Sequence, residues 1–84
     1  MKKWLISYDL NVPGQNYKGI DKELVRLGAA RVLYSQWVLA SSSSAAELRD
    51  YFKNFLDSND RLLVSSLQDW AAWNAMIDIN KVAA

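Results

Sequence analysis

The chain has no cysteine and no histidine. Without thiols there is no disulfide, no thiolate–zinc site and no Cys nucleophile; without imidazole there is no Ser-His pair, no His-ligated metal and no haem attachment. Oxygen chemistry is what remains, so a metal would be a hard cation, magnesium or manganese, held by Asp or Glu and water. Charge of one sign is also lacking: ten Lys plus Arg stand against nine Asp plus Glu, a net charge of +1. That balance does not announce nucleic-acid binding by electrostatics alone. No apolar run approaches the roughly 20 residues of a membrane span. The start, Met1-Lys2-Lys3-Trp4, enters a half-polar strand pattern with no leader-like apolar stretch, so a cytoplasmic protein with no membrane partner is expected.

The chain does have apolar and aromatic side chains. Hydrophobic residues make up 51% of its 84 positions, with four Trp and four Tyr, enough for one core but not for two. A single domain over 1–84 is expected, with a core at about 3–68 and a C-terminal extension over 69–84. At this size about 60 to 65% of the unfolded surface can be buried, which leaves a monomer marginal unless something adds to its core.

Lys3 to Leu10 alternates, with Trp4, Ile6, Tyr8 and Leu10 on one face and Lys3, Leu5, Ser7 and Asp9 on the other, the period of a strand. Asn11-Val12-Pro13-Gly14 stops it as a turn. Asn16 is placed to cap a helix carrying Tyr17, Ile20, Leu24 and Leu27 on one side, and Gly28 ends that helix. Ala30 to Ala40 is rich in strand-forming residues and is divided near Ser35-Gln36 into two antiparallel strands. Ser44 and Glu47 form a capping box ahead of a helix with Ala45, Leu48, Phe52, Phe55 and Leu56 on one side. Arg61 to Leu67 reads as the last strand, and beyond Gln68 the pattern supports neither helix nor strand decisively. The order is α+β, a ferredoxin-like βαββαβ plan with two helices on one face of a four-stranded antiparallel sheet.

The face away from the helices is expected to carry Leu5, Ser7, Asp9, Leu63 and Leu67, joined by Leu33 and Trp37, with nothing left in the chain to cover it. Such a patch exceeds the few hundred Å² a monomer usually leaves in water, so a homodimer through this face is expected. Trp70 and Trp73 in the extension would join that interface, and the extension itself is a candidate for exchange between subunits. Asp9 sits at the carboxyl end of the first strand on this face. It either closes an Asx turn onto the backbone near Val12 or meets its symmetry copy, two carboxylates being enough for one magnesium ion that acts at a phosphodiester. Ser41 to Ser44 lacks the Gly and Lys of a phosphate loop, and Asp57-Ser58-Asn59-Asp60 lacks the length and Glu of a calcium loop. Lys3 and Arg31 are the cations placed to touch a phosphate backbone if they share an edge.

Ser7-Tyr8-Asp9-Leu10, Leu27-Gly28-Ala29, the segment Arg31 to Trp37 and Asp57-Ser58-Asn59-Asp60 together resemble the small ferredoxin-like subunit of the CRISPR spacer-acquisition complex. The chain is also similar to the SinR-like family, where Pro13-Gly14, Leu48-Arg49-Asp50, Leu62-Leu63-Val64 and Ala72-Trp73 are at home. The similarity spans about residues 3 to 75 and rests on the order and spacing of short motifs. It implies a CRISPR-associated-like homodimer with facing sheets, exchanged C-terminal segments and a metal-binding, catalytic aspartate, which by match is Asp9. The acquisition subunits are described as metal-dependent endonucleases and also serve as a scaffold on which DNA lies. Where they carry a strongly basic segment after the aspartate, this chain has a cation only at Lys18, and Gln36-Trp37 stands for a smaller apolar residue and Phe. The expectation is therefore a magnesium- or manganese-dependent endonuclease acting on RNA or DNA through paired Asp9. The alternative is a non-catalytic scaffolding or protein-interaction dimer in which Asp9 is structural.

Overall fold

A computed structural model describes residues 1–11 and 19–82. Four strands, β1 (Lys2–Asp9), β2 (Ala30–Leu33), β3 (Gln36–Ser41) and β4 (Arg61–Ser66), form one antiparallel sheet in the order β2-β3-β1-β4. Helices α1 (Ile20–Arg26) and α2 (Ala45–Phe52) cover one face, which gives the ferredoxin-like α+β fold. No helix among the described residues is long and apolar enough to cross a membrane.

β1 is one of the two central strands, and both of its parities are usable. Ile6 lies in register with Trp37 of β3 and Val64 of β4, and Trp4, Ile6 and Tyr8 are all buried against the helices. α1 begins after Gly19, at φ 80, with no side-chain cap; Asn16, Tyr17 and the Pro13-Gly14 turn lie outside the described residues. It ends as its sequence requires: Gly28 takes φ 84, its N–H reaches Val25 O at 3.0 Å, and Ala29 N–H reaches Leu24 O at 2.9 Å, a Schellman closure. α2 opens on the expected capping box, with Glu47 N–H donating to Ser44 Oγ at 3.1 Å and Ser44 N–H to Glu47 Oε1 at 2.9 Å. The helices lay Ile20, Leu24, Leu48 and Phe52 over the sheet, and Phe52, Ile6 and Leu24 are completely buried.

The hairpin turns at Tyr34-Ser35, as the split near Ser35-Gln36 anticipates. Pairing shifts between Arg31 and Leu33, a bulge that twists the edge strand β2. The register corrects one placement: Trp37 is opposite Ile6 and 4% exposed in the helix-side core, so it is not on the open face. Trp37-Val38-Leu39 is apolar on both parities, and only the register assigns Val38 to the other side.

The same register leads to a second correction. The face away from the helices is not bare, because the extension folds back over it. Ile77, Ile79 and Val82 pack on Val32, Val38, Leu5, Ala30 and Leu67 as a second, smaller core. The extension is irregular apart from a 3-10 turn at Ile79–Lys81, and it turns at Asn74, whose φ is 56. Met76 N–H donates to Val32 O at 2.9 Å, and Lys3 Nζ to Ile79 O at 3.4 Å. Leu5 and Leu67, expected between subunits, are thus packed beneath the chain's own tail.

Candidate functional site

Antiparallel pairing with β4 sets Asp9 beside Arg61 at one end of the sheet, on the side away from the helices, and both residues are exposed. An opposite-charge cross-strand pair of this kind holds register by a few tenths of a kcal/mol to about 1 kcal/mol. A shallow groove lined by Ser7, Tyr8, Asp9, Arg61, Leu62 and Leu63 runs along this end. The nearby Asp60 is committed to backbone. Its Oδ1 accepts the Asn11 N–H at 2.7 Å and its Oδ2 accepts the Asp57 N–H at 2.7 Å, so this carboxylate ties the β4 turn to the end of β1.

No group of three His, Cys, Asp or Glu suited to a metal occurs among the described residues. One carboxylate whose cross-strand neighbour is a guanidinium is also the wrong donor set for a divalent cation. The described residues of a single chain therefore do not fit magnesium or manganese.

The cations singled out for phosphate contact are engaged within the chain. Lys3 reaches over the sheet to the Ile79 carbonyl. Arg31 sits on the helix side of β2, where its Nη2 donates to Asp21 Oδ2 at 2.7 Å and its guanidinium lies 4.6 Å from the Trp37 ring and 5.7 Å from the Tyr34 ring. Lys18 lies outside the described residues. Lys3 and Arg31 are thus on opposite faces, and no shared basic edge forms from them.

Arg31 belongs to a network that sequence periodicity did not reveal. The Tyr8 hydroxyl donates to Asp21 Oδ1 and accepts the Trp37 indole N–H at 3.2 Å. Burial, reinforced by the bond to the Asp21 carboxylate, pushes the Tyr8 phenol above its ordinary pKa of 10.0. The arrangement latches α1 to β1, β2 and β3, and its phenol stays protonated near neutral pH. Its signal in the sequence is Tyr8 itself, since a phenol on a buried strand face needs a polar partner. The partner, Asp21, lies in the first turn of α1.

Among the residues expected between subunits, Leu63 is 62% exposed and Trp73 88% exposed, while Trp70 is only just exposed and Ser7 is half-buried. Met76 joins them at 61% exposure. Leu33, Gln36, Ser7 and Leu63 make one row across the sheet, and its two leucines lie outside the small apolar core under the tail. No protein-family model matches the chain, and no solved structure gives a significant match.

Proposed function

We propose that this chain is a non-catalytic protein-interaction module that works as a homodimer, with Asp9 holding strand register. The carrying observation is the contrast between its charged and apolar surfaces. Lys3 and Arg31 are occupied by Ile79 and Asp21, whereas Leu63, Trp73 and Met76 stand in water with no described side chain over them. Large apolar groups left this exposed on a small domain mark a surface that meets another protein. The ferredoxin-like fold supports the architecture that the resemblance to the acquisition subunit implies, and the reading takes the scaffold side of that family rather than its nuclease side.

Sedimentation over a wide concentration range, combined with cleavage assays on RNA and DNA in magnesium and manganese, tests the proposal. A reversible dimer and no cleavage that depends on Asp9 are expected. Metal-dependent cleavage that disappears in Asp9→Asn would overturn the reading in favour of an endonuclease using two copies of Asp9.

A further inference from the structure

The two edges of the sheet are unequal. Edge β2 is protected twice, by the bulge between Arg31 and Leu33 and by the Met76 N–H bound to Val32 O. Edge β4 has neither device. It runs in unbroken register with β1 from Asp9↔Arg61 to Trp4↔Ser66, it contains no Pro or Lys, and no described residue pairs with its outer side. An unprotected strand edge is a template for another strand.

The ladder fixes which groups that edge presents. Leu67 N–H donates to Lys3 O at 2.9 Å, continuing the register by one residue, so the odd-numbered residues of β4 exchange bonds with β1. The Tyr8 N–H bond to Ser35 O on the other side of β1 agrees with this phase. Leu62, Val64 and Ser66 therefore turn their N–H and C=O groups outward.

We propose that β4 pairs antiparallel with β4 of a second copy, about an axis at Val64, to join two sheets into one. The inference rests on the homodimer reading above and names its contact. A two-fold axis normal to the sheet keeps the helices of both copies on one side, so opposed residues share a face and hence a parity. Opposed residues sum to an even number whichever residue lies on the axis, so the outward, even-numbered groups always face one another. Val64 is the choice that gives every outward group of Leu62, Val64 and Ser66 a partner. This register sets Leu63 opposite Ser65 of the partner subunit and diagonal to Leu63 of the partner subunit, taking its side chain out of water. It also sets Arg61 opposite Leu67 of the partner subunit.

Three measurements on the full chain decide it. Val64→Pro removes an N–H that bonds to no described residue, and is expected to weaken dimerisation at least ten-fold in sedimentation with unchanged far-UV circular dichroism. Because the chain has no cysteine, introduced thiols report cleanly. Leu63→Cys and Ser65→Cys chains are expected to form a covalent dimer when mixed and oxidised, well above either variant alone, and this decides the case if Val64→Pro fails to fold. A dimer undiminished in Val64→Pro, or a mixture that cross-links no better than its components, overturns the edge pairing and leaves the homodimer reading standing. A wild-type chain that is monomeric at every concentration overturns both.

Discussion

Both faces of the sheet are apolar, but they are closed by different means. On the helix side α1 and α2 satisfy their own backbone groups and spend their side chains on the sheet, which puts Phe52, Ile6 and Leu24 wholly out of water. On the tail side an irregular segment must also find partners for its backbone, and it takes them from the sheet: Val32 O at the edge and Lys3 Nζ on the face. Such cover reaches only as far as those partners, and the two leucines of the row Leu33, Gln36, Ser7 and Leu63 stay outside the small core beneath it. Regular elements close a face; irregular ones leave part of it for another chain.

The contrast is broken or sharpened most strongly at Phe52. Phe52→Ala is expected to cost about 3 to 5 kcal/mol in urea unfolding, because it empties the middle of the helix-side core. Ile79→Ala should cost less, about 2 kcal/mol, and should raise hydrogen exchange at the Met76 amide more than at any amide of β1. Equal losses at the two sites would mean that the faces form one cooperative core. Ser44→Ala removes the cap of α2 and should cost about 1 kcal/mol, while leaving exchange at Met76 unchanged relative to global stability.

The smallest effect is expected on the outer surface of the helices. Arg26 donates to both Glu23 carboxylate oxygens, at 2.7 and 2.6 Å, and the Tyr51 hydroxyl adds a bond from α2. These partners, Arg26 first, lower the Glu23 pKa from 4.5 to about 2. Since the folded-state value is the lower one, the stabilisation is present above the ordinary pKa and is lost as pH falls from about 4.5 toward 2. Glu23→Gln should therefore flatten the acid limb of stability in that window by lowering neutral stability slightly toward the acid value, as measured by thermal unfolding against pH.

Local chemistry made much of this legible in the sequence. The alternation from Lys3 to Leu10, the Ser44–Glu47 box and the left-handed Gly28 each depend on neighbours within a few residues. Trp37 was not legible, because apolar residues flank it on both parities and the bulge in β2 alters the pairing beside it. The tail was not legible either: Ile77 and Ile79 have strand spacing, Ile79 and Val82 helical spacing, so no one period holds, and their place is set by Val38 and Val32, some forty residues earlier. At the candidate site Asp9 stands at the strand end where alternation put it, whereas the Arg61 beside it, the commitment of Asp60 to backbone, and the attachment of Lys3 and Arg31 inside the chain come from pairing across strands.

By itself, then, the sequence determined the elements and their order, because caps, turns and side-chain periods are short-range properties of the backbone. Tertiary structure decided the rest: which parity of β3 faces the helices, that the tail lies on its own sheet, and that no described residue pairs with the outer edge of β4. Each of these follows from register and from the partners that distant backbone groups find, and neither is written in any one stretch of the chain.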